Sequence, residues 1–343
     1  MNRHRFYELD FLRFLAALSV LMFHYTFRMW NVDGSGYTEF PVLGVFSKYG
    51  YLGVDIFFLI SGFVIIMSAD GRKASEFGIS RIVRLYPAYW FCTILISFLQ
   101  SMDLTNTRAH GMLEFVANMT MLQTWLGIPH IHTVYWTLAV ELQFYFIVAF
   151  MLYFGLLKRL PELLGGWLLI SILVYYIDAP DWFRDLIISK WSHYFIAGAS
   201  FYLIWRDGFT LYKLALILVS LLQALKLGYW YVLLNEKTSG ADFEPLVALV
   251  LIASFFALFF MIAIKKIPDN FRMLAKLGVL TYPLYMIHII AEPLLEQFLP
   301  YLNRFFLLLL VTSLVMYLAW LIHRFIEKPF APKLKVALQK TTK

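Results

Sequence analysis

Charge is what this sequence of 343 residues has least of: Asp, Glu, Lys and Arg make up 15% of it, against 61% hydrophobic residues. A soluble domain must cover itself with charge, and 33 Phe with 21 Tyr exceed what a soluble core can hide. Soluble globular classes are therefore excluded. Cysteine occurs once, as Cys92, which excludes an internal disulfide, and no His or Asp accompanies it at metal-ligand spacing, so no metal is expected. No internal repeat of the kind that marks many transporters is visible. The first apolar run, interrupted by Arg13, is not followed by a small-residue cleavage site, so it is expected to remain as an uncleaved signal anchor.

What is present is a succession of apolar runs of roughly 17 to 25 residues, the length that crosses a ~30 Å hydrocarbon core. Ten spans are read: 9–28, 50–68, 83–100, 133–156, 163–178, 187–205, 210–227, 245–264, 278–298 and 305–325. The expected fold is all-α, a polytopic membrane protein with about ten transmembrane helices, forming one domain over 1–343 with a basic tail at 326–343. An N-terminus in the cytoplasm makes both termini cytoplasmic. It also places 20 of the 29 Lys and Arg inside, 8 outside and Arg13 in the membrane, the bias that the positive-inside rule describes. The inside clusters are Arg3 and Arg5; Arg72, Lys73, Arg81 and Arg84; Lys158 and Arg159; Lys265 to Lys276; and the Lys-rich tail. The net charge of +7 is then a topological signal that calls for the bilayer and for no nucleic acid. A shorter apolar segment from Glu114 to Gly127, before Pro129, suits a re-entrant or interfacial helix. Asn31 to Gly36 and Asn235 to Asp242 read as short polar loops.

Ionisable side chains inside a bilayer cost roughly 2.5 to 3.5 kcal/mol each on insertion scales, which makes those retained there functional candidates. Arg13 and His24 in the first span are eleven residues apart, about three helical turns, on one face and roughly 16 Å apart, with Asp10 near the same face. Counting ~1.5 Å per residue puts His24 in the outer half, at a depth similar to Asp55 of the second span and Glu141 of the fourth. One imidazole and two carboxylates from three helices can make a general base with its orienting partner, the arrangement that hydroxyl activation requires. Proton translocation uses the same residue types, and a satisfied polar network with structural duties uses them too. Arg81 and Arg84 stand at i, i+3 at the cytoplasmic mouth of the third span beside Pro87, where arginine forks and a helix N-terminus suit phosphate and where arginines also mark topology. His288 with Glu292, and His193 with Asp185, are weaker candidates for the same cavity or for an acceptor. Trp136 and other aromatics at span ends fit an interfacial belt.

Six segments in this order resemble the membrane acyltransferase-3 family: Asp10-Phe-Leu-Arg13 with His24; Gly53-Val-Asp55-Ile-Phe-Phe-Leu-Ile-Ser61-Gly62-Phe63; Arg81-Ile-Val-Arg84-Leu-Tyr-Pro87; Trp136-Thr-Leu-Ala-Val-Glu141; Tyr282-Pro-Leu-Tyr285 with His288; and Phe325-Ile-Glu327-Lys328-Pro329. The resemblance covers nearly the whole chain. It implies a ten-helix domain of the bacterial inner membrane that binds acyl-CoA, usually acetyl-CoA, as a co-substrate with no permanently bound cofactor. The acyl group then passes to a glycan or lipid-linked saccharide outside, with glycan-assembly partners compatible with that role; other acceptors in the family are small molecules such as antibiotics. Arg13 and His24 match the family's hallmark pair, and Arg81 and Arg84 match a motif expected to hold the nucleotide phosphates.

On this reading His24 is the general base with Glu141 or Asp55 fixing its tautomer, and Ser61, Tyr135, Trp136, Tyr285 and His288 line the cavity. An acyl-enzyme on His24, or Glu141 as the base, remains open. The rival classes are a proton-coupled secondary transporter that uses His24, Glu141 and Asp55 as a relay, and a non-catalytic acceptor-binding or assembly subunit.

Overall fold

The computed structural model describes residues 5–31, 34–105, 107–265 and 271–341. Arg3, Lys266 and residues 342–343 of the basic clusters lie outside the described residues. Among the described residues there is no strand. The first helices are α1 (Tyr7–Thr26), α2 (Pro41–Ser47), α3 (Gly53–Ala69), α4 (Ala74–Ser101) and α5 (Met112–Met119). The middle of the chain forms α6 (Trp136–Tyr153), α7 (Leu160–Leu173), α8 (Asp181–Leu186), α9 (Ser192–Asp207) and α10 (Leu211–Ser239). The last third forms α11 (Pro245–Ala263), α12 (Thr281–Ile287), α13 (Glu292–Phe298), α14 (Arg304–Ile322) and α15 (Lys328–Thr341).

Among the described residues, eight stretches are long and apolar enough to cross a membrane. They comprise α1, α2 with α3, α4, α6, α10, α11, α12 with α13, and α14 with α15. The predicted spans 163–178 and 187–205 correspond to α7 and α9, which have 14 and 16 residues. At ~1.5 Å per residue they reach about 21 and 24 Å, short of a ~30 Å core. Residues 192–204 of α9 are all buried, so its apolar sequence is that of a helix enclosed by other helices.

The centre of the fold is set by glycines. A Cβ on Gly62 of α3 would run into the carbonyl oxygen of Phe195, and one on Gly198 of α9 into that of Leu59. The two backbones therefore cross in direct contact, as small residues allow in membranes. Gly53 does the same for α1 and α3, since its Cβ would lie 2.6 Å from the Ala16 carbonyl oxygen. These crossings fix Asp55 and Ser61 of α3 relative to His24 of α1. Gly62→Leu is expected to destabilise the protein by about 1–3 kcal/mol, the usual cost of overpacking, read as a lower melting midpoint in detergent; an unchanged midpoint would mean that α3 and α9 part without cost.

Three sequence readings are corrected. Asn235 to Asp242 is not a loop throughout: α10 runs on to Ser239, where the hydroxyls of Thr238 and Ser239 donate to the carbonyls of Leu234 and Asn235 at 2.9 and 2.7 Å, and Gly240 ends the helix at φ +68°. The segment 114–127 is helical only in α5, which Glu114 opens by accepting from the Gly111 N–H at 3.1 Å; Met121 at φ +62° turns the chain after it. Arg108, the Gly111 N–H and His110 together hold the Glu114 carboxyl below its ordinary pKa. The span 278–298 is not one helix. It is broken between α12 and α13 by a 3-10 turn over His288–Ala291, and the freed carbonyls find side chains: Tyr25 donates to the His288 carbonyl at 2.5 Å, and His288 Nδ1 lies 2.8 Å from the Tyr285 carbonyl.

Candidate functional site

The polar residues of the spans collect around two cavities that meet at Val54 and Tyr285, both of which line each of them. Arg13 and His24 project from one helix into different cavities. Their separation along α1 is eleven residues, about 16 Å.

The smaller cavity, about 130 Å³, is lined by Arg13, Arg81 and Arg84 with Ser61, Glu141 and Tyr145. Arg13 is steadied by Asp10, its Nη1 3.8 Å from Oδ1. Arg81 donates to Ser68 Oγ at 3.1 Å and lies 5.6 and 5.7 Å from the ring centroids of Phe77 and Tyr145. Ser61 donates to Glu141 at 2.6 Å. Three guanidinium groups face one carboxylate, so the cavity carries a positive excess suited to an anion. Tyr145 was not singled out in the sequence, although it stands at i+4 from Glu141 and so on the same helical face.

The larger cavity, about 530 Å³, is lined by His24, Asp55, Trp136, His193, Tyr194 and Asn235, among others. The buried Asp55 accepts from Tyr194 at 2.8 Å. His193 also lines it; it is 1% exposed, and neither of its buried ring nitrogens has a hydrogen-bond partner among the described residues. Asn235 enters through the extension of α10 that its polar sequence concealed.

The expected trio of His24, Asp55 and Glu141 does not form one cluster. Asp55 shares the larger cavity with His24, while Glu141 lines the arginine cavity. The carboxylate beside His24 is Glu292, 3.3 Å from Nδ1, brought there by the break before α13. His288 packs its ring edge-to-face on His24 with centroids 5.1 Å apart. A carbonyl only accepts, so the contact with the Tyr285 carbonyl fixes the proton of His288 on Nδ1. Of the predicted cavity-lining residues, Ser61 lines the arginine cavity, Trp136 the histidine cavity and Tyr285 both. Tyr135 and His288 line neither: Tyr135 is fully buried against Tyr89 and His132, and His288 is buried behind His24. The Tyr285 hydroxyl accepts from Thr137 at 2.8 Å, which holds its ring at the junction.

With the geometry in view, comparison with known proteins decides the family: the sequence model described as an acyltransferase domain matches residues 6–324. The chain belongs to the acyltransferase-3 family. The eight membrane-length stretches among the described residues make this member of the family a multi-pass membrane protein. It is 29% identical over 177 residues to acyltransferase MdmB of Streptomyces mycarofaciens, covering 49% of this chain and 44% of that protein. It is 28% identical over 181 residues to the peptidoglycan O-acetyltransferase OatA of Listeria monocytogenes, covering 46% of this chain and 26% of that one. To the exopolysaccharide production protein ExoZ of Rhizobium meliloti it is 29% identical over 174 residues, 46% of this chain and 52% of the relative. The matched region thus spans between a quarter and about half of the length of these relatives. No solved structure matches the chain.

Proposed function

We propose that the protein takes an acyl group, acetyl in the first place, from cytoplasmic acyl-CoA and transfers it to a hydroxyl of an extracytoplasmic or lipid-linked saccharide. It does so in the bacterial inner membrane, with both termini cytoplasmic and about ten crossings, the shorter α7 and α9 among them, each extended by the turns that flank it. The observation that carries this reading is the pair of cavities joined at Val54 and Tyr285, one lined by three arginines and the other by His24. The phosphates of the donor rest on Arg81 and Arg84 with Arg13 nearby, and the pantetheine arm passes Val54 and Tyr285. Its length is comparable with the roughly 16 Å between Arg13 and His24, so the thioester arrives beside the imidazole.

With the Nδ1 proton facing Glu292, His24 keeps its lone pair on Nε2 and acts as general base. The acceptor hydroxyl gives its proton to Nε2 as its oxygen attacks the thioester carbonyl; the C–S bond then breaks and CoA leaves as the thiolate. Asp55, held by Tyr194, and His193 face the acceptor. Glu141, on the donor side, balances the arginines. Glu292→Gln is expected to lower kcat about tenfold with the donor Kd unchanged, because an amide can turn either its oxygen or its NH2 to Nδ1 and so frees the imidazole to take the wrong tautomer; an unaltered kcat would return the orienting role to Asp55.

A proton-coupled transporter is the second reading, and the helix break at His288 favours it, since discontinuous helices mark transport sites. Proteoliposomes separate the two. Radiolabelled acetyl-CoA supplied on the side of the arginine cavity should leave label covalently on a saccharide acceptor; label that crosses without becoming covalent would establish transport instead.

A further inference from the structure

The histidine cavity is the first of three adjoining hollows along the side of the protein. A neighbouring cavity of about 570 Å³ shares Trp136, Lys190 and Trp191 with it, and Trp125, Trp182 and Arg184 complete much of its wall. A third hollow of about 380 Å³ shares Trp125, Gln143 and Leu186 with the second and continues along α6 past Ile147 to Met151, where Leu156 and Leu163 close it. Gln143 to Met151 covers about 12 Å of helix.

The chemistry changes in order along this path. The third hollow is lined by apolar side chains apart from Gln143, whose amide donates to the carbonyls of Asp185 and Leu186 at 2.9 and 2.7 Å. Those bonds occupy its donors and fasten α8 to α6 at the junction. Phe146 and Phe150 on the wall are 52% and 59% exposed, so the hollow opens sideways. The middle cavity is lined by two cations, Lys190 and Arg184, and one carboxylate, Asp185. Lys190 has no salt bridge among the described residues. Arg184 meets Asp178 and Asp181 through Nη2 at 3.7 and 3.1 Å, while its buried Nε has no hydrogen-bond partner. Trp136 and Trp191, with ring centroids 5.3 Å apart, stand between this cavity and His24 and offer the aromatic faces on which the apolar face of a sugar ring packs.

Resting on the acyl-transfer reading, we propose that this path is a lateral docking site for an anionic glycolipid. The hydrocarbon tail lies in the groove between α6 and α7, the phosphate linker meets Lys190 and Arg184, and the first sugar packs on Trp136 and Trp191 with its hydroxyl at His24. The acceptor is therefore drawn from the bilayer. The occupant follows from the order of the adjoining hollows: each shares three residues with the next, from an apolar groove through cations and tryptophans to the one that holds His24.

The test measures binding of two probes to purified protein in nanodiscs, a polyprenyl-diphosphate-linked N-acetylglucosamine and the methyl glycoside of the same sugar. The lipid-linked probe is expected to bind at least about tenfold more tightly. Leu163→Trp, which fills the groove, and Lys190→Glu, which reverses its charge, should each remove most of that difference, whereas Leu163→Ala should keep it. Acceptor-independent hydrolysis of acetyl-CoA should be the same in Leu163→Trp as in the wild type. Equal binding of the two probes, an unchanged difference in folded Leu163→Trp, or equal displacement by excess phosphatidylglycerol, which would make the groove a seat for ordinary bilayer lipid, would each overturn the proposal. Glycolipid binding of the expected form without thioester hydrolysis in the wild type would instead overturn the acyl-transfer reading.

Discussion

His24→Ala is expected to lower acyl transfer by about 100- to 10,000-fold, the range that removal of a positioned general base produces, while acyl-CoA binding stays within about twofold of the wild type. The two effects separate because His24 and the arginines occupy different cavities. His24 is partly buried, its side chain 16% exposed between Glu292 and His288, so its loss leaves a small gap in a wall that already borders a large cavity. His24→Gln, close in size, guards against loss of packing and should be equally inactive. Transfer at the normal rate in either variant would rule out His24 as the base and move that role to Asp55, the carboxylate that shares its cavity. An acyl group recovered on His24 itself after a donor pulse would replace base catalysis with a covalent intermediate.

The second large effect concerns the donor. Arg81→Ala and Arg84→Ala are each expected to weaken acyl-CoA binding about 10- to 100-fold, the loss of one charge-assisted phosphate contact, with the KM for the acceptor unchanged. They should differ in stability. Arg81 is tied to Ser68 and packed on Phe77 and Tyr145, so its removal also loosens α4 against α3 and α6. Arg84 is exposed and has no hydrogen bond or salt bridge among the described residues, so its variant should melt like the wild type. Isothermal titration with CoA reads the first quantity and a thermal scan the second. Unchanged CoA affinity in both variants would reduce the pair to a topology signal.

The distribution of residues between the two ends of the path was legible in the sequence, because helix rise alone separates Arg13 from His24 and polar residues in apolar runs are few. The six motif segments gave the family before any contact was known. The partner of His24 was not legible. Depth counting aligned Asp55 and Glu141 with it, yet depth fixes one coordinate of three, and rotation about each helix axis sent Glu141 to the other cavity. Glu292 reaches His24 because the chain leaves α-geometry at His288–Ala291; the sequence signal for that break is Pro293, whose missing N–H and ring disfavour α-geometry in the preceding turn. Asn235 was hidden for the opposite reason. Its polar neighbours read as a loop, while local hydroxyl-to-carbonyl bonds sustain the helix to Ser239. The length of α9 was overread because apolarity records burial in protein as readily as burial in lipid.

The central claim, that one chain binds an acyl-CoA at the arginines and cleaves its thioester at His24, is tested most directly without an acceptor. Purified protein in detergent is titrated with radiolabelled acetyl-CoA and followed for slow release of acetate, with His24→Ala measured alongside. The account predicts saturable binding by both proteins and thioester cleavage by the wild type alone; absence of binding by folded wild-type protein, or equal cleavage by the variant, would contradict it.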